Sequence, residues 1–365
     1  MVPEQGAVLD ARTLNRTLLA RQSLLDRVEA EPLHAVACLV GMQSQVPLDP
    51  YVGLWSRVRG FDPESLGSAL LERRAVRMTL MRATLHLVGS GDARRIRPLM
   101  QPMLERAFAS SPFARRMNGV DLAALLVRGR ELVDAVPMPL SRLRDALGKE
   151  WPDHDADALA NAVRYLVPLV QVTPRGVWGA SMQPTVTTLD AWLGQDERVD
   201  GATAEELVLR YLRAFGPASA ADIRAWSGLG GIRAVVDGLQ PQLRLYRDEA
   251  GRELYDVPGG AFADAAAPAP VRFLPEYDNV FLGHADRSRI MDTVTFGPAF
   301  AHSGSFFADG FLAGAWKLRK AKREGTLLVE PRRRLGASER REVAREAEEL
   351  LLFLVPDGRR RLQLV

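Results

Sequence analysis

Apolar residues recur at helical spacing near the start of the chain. Leu14 and Leu18 lie among arginines, and residues 33–40 carry a second apolar stripe after Pro32. Each stripe predicts an amphipathic helix that buries one face. The second helix is expected to end near Met42.

An extended segment is predicted directly after this second helix. Pro47 and Pro50 disfavour helical geometry in the residues that precede them. Side chains two positions apart in an extended segment point to the same side, so Gln43 and Gln45 are expected to aim their amides at one point. On residue chemistry alone, the same amides also fit turn residues that satisfy backbone groups.

The clearest pattern of elements lies in the third quarter of the chain. Residues 203–215 predict an amphipathic helix, and residues 217–240 predict two more helices around a glycine turn at 228–231. A strand pair is expected around the turn residues 248–251. Helix, short turn, helix and hairpin is the order typical of a winged helix-turn-helix domain.

Two earlier segments share this order of elements. The patterns therefore predict an α+β fold of about three tandem winged helix-turn-helix domains with a C-terminal β-rich module. The expected limits are 1–110 for domain 1, which carries the Gln43-Ser44-Gln45 loop, 111–200 for domain 2, 201–262 for domain 3 and 263–365 for the module. In the module, VRFLPEYDNVFL and several other apolar segments predict strands, and residues 338–353 predict a helix.

Composition excludes several classes of protein. The 365 residues are 47% hydrophobic and 25% charged, which is ordinary for a globular protein and unlike a disordered or collagen-like chain. Cys38 is the only cysteine, so no disulfide forms within the chain. The start of the chain lacks the features of a signal peptide, and the longest apolar run, Leu350 to Pro356, is too short to span a bilayer. We expect a cytoplasmic, nucleoid-associated protein without membrane contact.

Charge is nearly balanced over the whole chain. There are 48 lysines and arginines against 45 aspartates and glutamates, so any surface for nucleic acid must be local. Clustered cations suit backbone phosphates, although such runs also occur as solvated faces. The candidate DNA-binding residues are Arg224 and Arg233 in domain 3, and Lys317, Arg319, Lys320, Lys322, Arg323, Arg332, Arg333 and Arg334 in the module.

Common catalytic and cofactor motifs are absent from the sequence. The chain lacks the glycine-rich nucleotide loops, the HExxH motif and a CxxC pair. His34 and Cys38 have a spacing that suits a metal, but no third ligand is near, and burial of Cys38 is the simpler expectation. His86 is expected inside the protein, and His284 with Asp286 fits either a cleft or a capped turn. We expect no cofactor and no metal.

Six sequence blocks together resemble one bacterial family, the AlkZ/YcaQ-like winged-helix DNA glycosylases. The blocks span residues 14–318 and read LNRTLLARQSLL, VGMQSQVPLDPYVGLWSRVRGF, RMTLMRATLHLV, GPASAADIRAWSGL, FLPEYDNVFLGHADRSR and FFADGFLAGAWKL. The resemblance implies three winged helices in a C-shaped arrangement with an attached β-rich domain. It also implies that the family's Q-x-Q motif falls on Gln43 and Gln45 as catalytic residues. The family motif has an aliphatic middle residue, and this chain has Ser44 there.

The resemblance further implies an activity on damaged DNA. We expect a monofunctional glycosylase that hydrolyses the N-glycosidic bond of N7-alkylguanine, including interstrand crosslinks from an alkylating natural product, and leaves abasic sites. The expected partner is double-stranded DNA with alkylated or crosslinked guanine, bound by a monomer. No lysine accompanies the glutamines, so no lyase activity is expected. A winged-helix transcriptional regulator without catalysis is the alternative, and a protein that sequesters an antibiotic is a third hypothesis.

Overall fold

The computed structural model describes residues 3–196, 200–294, 297, 300–321 and 324–365. In chain order the strands are β1 (Val8–Leu9), β2 (Met42–Gln43), β3 (Ala75–Thr79), β4 (Leu85–Gly89), β5 (Met138–Pro139), β6 (Leu169–Gln171), β7 (Thr185–Thr188), β8 (Arg244–Asp248), β9 (Glu253–Asp256), β10 (Arg272–Leu274), β11 (Gly304–Ala308), β12 (Phe311–Ala321), β13 (Glu324–Pro331) and β14 (Arg359–Leu364).

Helices connect most of these strands. They are α1 (Ala11–Arg21), α2 (Pro32–Cys38), α3 (Asp49–Trp55), α4 (Pro63–Leu71), α5 (Ser90–Ala109), α6 (Leu122–Ala135), α7 (Leu140–Glu150), α8 (Ala156–Leu166), α9 (Leu189–Leu193), α10 (Ala204–Phe215), α11 (Ala220–Ser227), α12 (Ile232–Leu239), α13 (Asn279–Leu282) and α14 (Ala337–Leu354). Among the described residues, none of these helices is both long and apolar enough to cross a membrane.

Six strands between residues 42 and 188 form one sheet, in the order β2-β4-β3-β6-β7-β5. Gln43 on the edge strand lies opposite His86, which in turn lies opposite Met78. Opposite residues share a face of a sheet, so Gln43 lies on the side where Met78 packs against α5. Leu87 lies on the other side, against helices α2 to α4. The sheet thus determines on which of its two faces the side chain of Gln43 lies.

The elements of residues 201–262 follow the predicted order. Thr203 and Ser219 begin α10 and α11 with capping boxes. Gly228 and Gly231, with φ of 77° and 74°, bracket the turn between α11 and α12 in the left-handed conformation that glycine tolerates. The antiparallel hairpin of β8 and β9 follows.

The C-terminal residues form a five-stranded sheet in the order β10-β11-β12-β13-β14. Helix α14 packs its apolar side on this sheet and agrees with the helix predicted over residues 338–353. The expectation of strand throughout VRFLPEYDNVFL is wrong at its end, because residues Asn279–Leu282 form α13. The Asp278 carboxylate caps this helix by accepting the backbone N–H of Val280.

The N-terminal segment packs against later parts of the chain. Strand β1 pairs in parallel with β8. The Asn15 amide donates to the carbonyl oxygen of Gly310 over 2.8 Å, and Arg21 pairs with Asp256 at 2.7 Å. Strands β3 and β6 likewise join the first two predicted domains in one sheet. Contacts therefore cross the predicted domain limits, and those limits, the number of winged helices and the C-shaped arrangement stay predictions.

Candidate active site

The glutamine segment begins with a sharp reversal after α2. This helix ends at Cys38. The sequence pattern predicted an end near Met42, which is wrong. The reason is that Val40 and Gly41 take positive φ angles of 56° and 92°, which a helix does not allow. A Cβ on Gly41 would lie only 2.6 Å from Cγ1 of Val88, so glycine is required at this close approach. The chain then enters β2.

Gln43 is buried, with 6% of its surface exposed, and its amide is held in place. Its Oε1 accepts hydrogen bonds from Nη2 of Arg82 at 2.8 Å and from the Thr84 hydroxyl at 3.2 Å. Because the amide oxygen is engaged twice, the NH2 group is the end with which Gln43 can bind a ligand. Gln43 is therefore oriented as a hydrogen-bond donor.

Arg82 occupies an unusual position behind Gln43. It lies in the 3-10 turn Met81–Ala83 with a positive φ of 55°. Its Nη1 donates to the carbonyl oxygen of Trp226 in α11, so the third predicted domain supports the amide of Gln43 through this one side chain. Burial lowers the pKa of Arg82 to about 10, which leaves the guanidinium charged at neutral pH.

Ser44 points to the other face of the sheet and is fully buried. Arg77 donates to the Ser44 hydroxyl from Nε at 2.8 Å and to its carbonyl oxygen from Nη2 at 2.7 Å. The third contact of this guanidinium, Nη1 to Oε1 of Gln171, is also 2.8 Å long. An aliphatic residue at position 44 would leave Nε of Arg77 without this acceptor. The serine in the middle of the motif is thus matched to Arg77.

Gln45 has a different environment from Gln43. It lies on an exposed bend after β2. Val46 and Leu48, which follow it, are 37% and 42% exposed. The predicted extended segment is present at Met42–Gln43, and the chain then bends toward α3. The structure thus holds one glutamine rigidly and presents the other to solvent, both on one short loop that we call the glutamine loop, residues 43–45.

The C-terminal module contacts the turn that precedes the glutamine loop. The buried amide of Asn279 donates to the carbonyl oxygens of Gly41 at 2.8 Å and Leu39 at 3.3 Å. Its neighbour Asp278 makes two hydrogen bonds of 2.7 and 2.8 Å to the buried guanidinium of Arg57. These contacts give the FLPEYDN block a physical role, since it fixes the turn that leads into the loop.

Asp49 is a buried carboxyl at the start of α3, four residues after Gln45. Burial, followed by the charges of Glu276 and Asp278, raises the pKa of Asp49 to about 8. Its Oδ2 has no hydrogen-bond partner among the residues that the structure describes. Asp49 therefore holds a proton at neutral pH.

The Asp49→Asn variant is expected to be more stable than the native chain above pH 8 and to lose this advantage toward about pH 4. Between these values the folded state keeps a proton that the unfolded state has released, so Asp49 costs stability as the pH rises, at up to about 1.4 kcal/mol per pH unit. The measurement is the free energy of unfolding in urea at a series of pH values for both proteins. A difference that stays constant with pH would contradict the proton on Asp49.

The histidines and the cysteine singled out in the sequence lie on several different elements. His86 is inside the protein as predicted, donates from Nδ1 to the carbonyl oxygen of Thr84 over 2.9 Å, and has its pKa lowered to about 3 by burial. His284 is buried and Asp286 caps a turn by accepting the N–H of Ser288. The expected burial of Cys38 is wrong, because this residue is exposed. Among the described residues, no group of three potential metal ligands occurs.

The candidate DNA-binding residues lie in several places. Arg224 is exposed on α11, and Arg233 is exposed on α12, where its Nε lies 2.9 Å from Oδ1 of Asp237. Lys317, Arg319 and Lys320 are exposed on β12, and Arg334 is exposed after β13. Lys322 and Arg323 lie outside the described residues.

Two of the candidate arginines are engaged within the module. Arg332 donates to Glu330 at 2.7 Å. Arg333 makes hydrogen bonds of 2.6 and 3.0 Å to the two carboxylate oxygens of Glu339 in the first turn of α14. An arginine held in this way is less available for phosphate, so we rank Arg333 last among the DNA-binding candidates.

Sequence reasoning missed the residues that hold the loop. Arg82 contacts Gln43 from 39 positions away, and Asn279 contacts Gly41, in the turn before the loop, from 238 positions away. Both lie in blocks that carried the family resemblance, RMTLMRATLHLV and FLPEYDNVFLGHADRSR. That shared membership was the one signal in the sequence that connected them to the glutamines.

A comparison with known proteins shows the family of the chain. A family model described as "DNA glycosylase AlkZ-like" matches residues 36–353. The chain belongs to the AlkZ-like family of DNA glycosylases. The resemblance drawn from the sequence blocks is thereby confirmed, and the AlkZ-like chain is a DNA-binding hydrolase of DNA repair.

A solved structure shows the same fold. The Streptomyces sahachiroi DNA glycosylase AlkZ matches with a TM-score of 0.74 and 20% sequence identity, over 98% of this chain and 100% of that chain. This likeness confirms the mixed α+β fold of the AlkZ-like chain. No curated protein matches the chain significantly.

Proposed function

We propose that the protein is a monofunctional DNA glycosylase that hydrolyses the N-glycosidic bond of N7-alkylguanine, including interstrand crosslinks from an alkylating natural product. Such an enzyme leaves an abasic site and protects the cell that meets the compound. The observation that carries this proposal is the amide of Gln43, fixed by Arg82 and Thr84 next to the exposed Gln45.

The reaction needs little acid or base from the protein. Alkylation at N7 makes guanine cationic, so its departure from C1′ neutralises that charge and gives an oxocarbenium-like sugar. What remains is to place a water molecule on the sugar carbon. The NH2 group of Gln43 can donate a hydrogen bond to one lone pair of this water. The amide oxygen of Gln45 can accept a hydrogen bond from an O–H of the same water. The water then keeps a lone pair for the attack on C1′, and the proton that it loses passes to solvent.

Exposure of the loop supports action on crosslinks. Many glycosylases rotate the damaged nucleotide out of the duplex into a deep pocket. A guanine tied to the opposite strand cannot make that movement freely. Gln45 on an exposed bend is able to approach a nucleotide within or beside the duplex, and the cations of β12 offer contacts to the phosphates on either side.

The loop offers only amides and a hydroxyl. A lyase step requires an amine that forms a Schiff base with the sugar. We therefore propose that base release is not followed by strand cleavage. The neutral amides also predict weak action on unmodified guanine, which is a much poorer leaving group.

The proposal is tested on a labelled duplex alkylated at guanine N7. Protein is added, and alkali then converts abasic sites to strand breaks. Wild-type protein is expected to give breaks only after alkali, and the Gln43→Ala, Gln45→Ala double variant is expected to give none above background. The Gln242→Ala variant, which changes an exposed glutamine before β8, is the matched control. Equal break yields from wild type and double variant, with DNA binding retained, would instead support a DNA-binding regulator.

The Arg82→Met variant is expected to lower kcat by about tenfold with little change in KM, because the Gln43 amide loses one of its two donors and its orientation. The Arg82→Lys variant keeps a cation and is expected to recover part of the rate. Single-turnover base release with excess enzyme measures both. If Arg82→Met and Arg82→Lys lose activity only in proportion to a fall in folded protein, Arg82 has no positioning role.

A further inference from the structure

A cleft of about 860 Å³ begins where the glutamine loop ends. Residues 46–48 form one wall, and the connection between β6 and β7, residues 175–182, forms the next. Leu318, Lys320 and Ala321 of β12, Glu324 at the start of β13 and residues 354–358 at the end of α14 complete the lining. Four parts of the chain that are distant in sequence thus meet around this cleft, and Val46 on its first wall follows Gln45 in the chain.

The walls of the cleft are rich in apolar side chains. Val46 and Leu48 are 37% and 42% exposed, although both belong to a short loop beside a polar site. Val177, Trp178 and Met182 are partly exposed on the wall that residues 175–182 form. Apolar side chains that cluster in a concave site of this volume are typical of a pocket for a drug-sized organic group.

The alternation of β12 divides its side chains between two surfaces. Leu318 and Lys320 are two positions apart and line the cleft, whereas Lys317 and Arg319 point to the other face of the strand. The basic cluster that the sequence suggested is therefore two groups. Lys317 and Arg319 form an exposed cationic face, and Lys320 accompanies an apolar residue inside the cleft. A cation beside apolar and aromatic walls also favours an aromatic ligand.

We propose that this cleft binds the non-nucleoside part of a bulky N7 adduct, an aromatic or polycyclic group carried by the damaged guanine. The inference rests on the proposed glycosylase function and deepens it. A guanine whose glycosidic bond faces Gln45 carries its N7 substituent on the same rigid base, and Val46 to Leu48 are the residues that follow Gln45 in the chain. The cleft is therefore an apolar surface that adjoins the loop and can hold such a substituent, and it selects bulky lesions over a methyl group.

The test compares two duplexes of one sequence, one with 7-methylguanine and one with guanine that carries a tricyclic arylmethyl group at N7. The double variant Leu318→Gln, Met182→Gln places polar amides on two walls of the cleft. We expect it to slow release of the arylmethyl base by about tenfold and to leave release of 7-methylguanine within about twofold of wild type. The methyl substrate also reports whether the variant is folded. Val127→Gln, an exposed apolar residue on α6 outside the cleft, is the control.

Equal slowing on both substrates, or an unchanged rate on the arylmethyl duplex, would overturn the proposal. A second measurement separates this outcome from failure of the proposed function. The same two adducts are prepared with a 2′-fluoro sugar, which resists hydrolysis, and their equilibrium binding is measured. Wild type is expected to bind the arylmethyl duplex about tenfold more tightly than the methyl duplex, and the double variant to lose this preference. If wild type releases neither base but binds the arylmethyl duplex more tightly, the glycosylase proposal is wrong and the proposed role of the cleft is supported. If wild type releases both bases but binds the two duplexes equally, the glycosylase proposal is supported and the proposed role of the cleft is wrong.

Discussion

Gln43→Ala is expected to lower the rate of base release by about 100-fold or more and to do so more severely than Gln45→Ala. The reason is that Gln43 is preorganised, since its oxygen is held by Arg82 and Thr84 and its NH2 group is oriented before substrate arrives. Loss of a single preorganised donor in an active site costs about 10² to 10³ in rate. Gln45 is exposed, and a solvent molecule can replace part of its function.

The measurement is single-turnover release of 7-methylguanine and of a bulkier N7 adduct, with DNA affinity determined in parallel. A group that acts on the reacting atoms changes the rate constant and leaves affinity for undamaged duplex unaltered. Gln242→Ala is again the control. If Gln45→Ala is the slower variant, the assignment of the main contact to Gln43 is wrong.

An isosteric substitution separates donation from packing. Gln43→Glu keeps the shape of the side chain but replaces the NH2 donor with a carboxylate oxygen. This carboxylate is expected to pair with the adjacent guanidinium of Arg82 and to be as inactive as alanine. Activity equal to or above wild type in Gln43→Glu would mean that the residue acts as a base, and the donor role would be refuted.

The sequence located the glutamine loop but not the residues that hold it. Pro47 and Pro50 indicated an extended segment after a helix, but the structure is extended only at Met42–Gln43, and Asp49, directly before Pro50, begins α3. The end of α2 was predicted too late, since apolar spacing continues through Val40 although this residue and Gly41 turn into the left-handed region. Gly41 was the available signal, because glycine commonly terminates helices in this way.

Contacts between distant segments could not be predicted from local patterns. Periodicity predicts the strand that contains Arg77 and the loop that contains Ser44. No local sequence pattern indicates that these two side chains form a hydrogen bond. The same holds for Asn279 and Gly41. Charge runs were equally ambiguous, since Arg333 belongs to a run of three arginines and is paired with Glu339. Composition indicates how many cations a segment has and not which of them have partners.

Asp278→Ala is expected to destabilise the protein by about 3 to 5 kcal/mol, because it leaves the guanidinium of Arg57 buried without its carboxylate. The side chains of this pair are 1% and 0% exposed, so water cannot take over the missing contact. Asp278 also caps α13, and the loss of a helix cap adds about 1 kcal/mol. The measurement is the free energy of unfolding from urea titration.

The matched control for this variant is Asp237→Ala, which removes an exposed carboxylate from its pair with Arg233 on α12. Exposed pairs of this kind contribute about 1 kcal/mol or less, so the control is expected to be near wild type. A loss from Asp278→Ala as small as that from Asp237→Ala would contradict the role of the buried pair.

The double variant Arg57→Met, Asp278→Leu removes both charges together and is expected to recover part of the lost stability, since the cost of Asp278→Ala arises from the uncompensated cation. Stability recovered without either charge would show that this position needs the space to be filled and does not need the charges themselves.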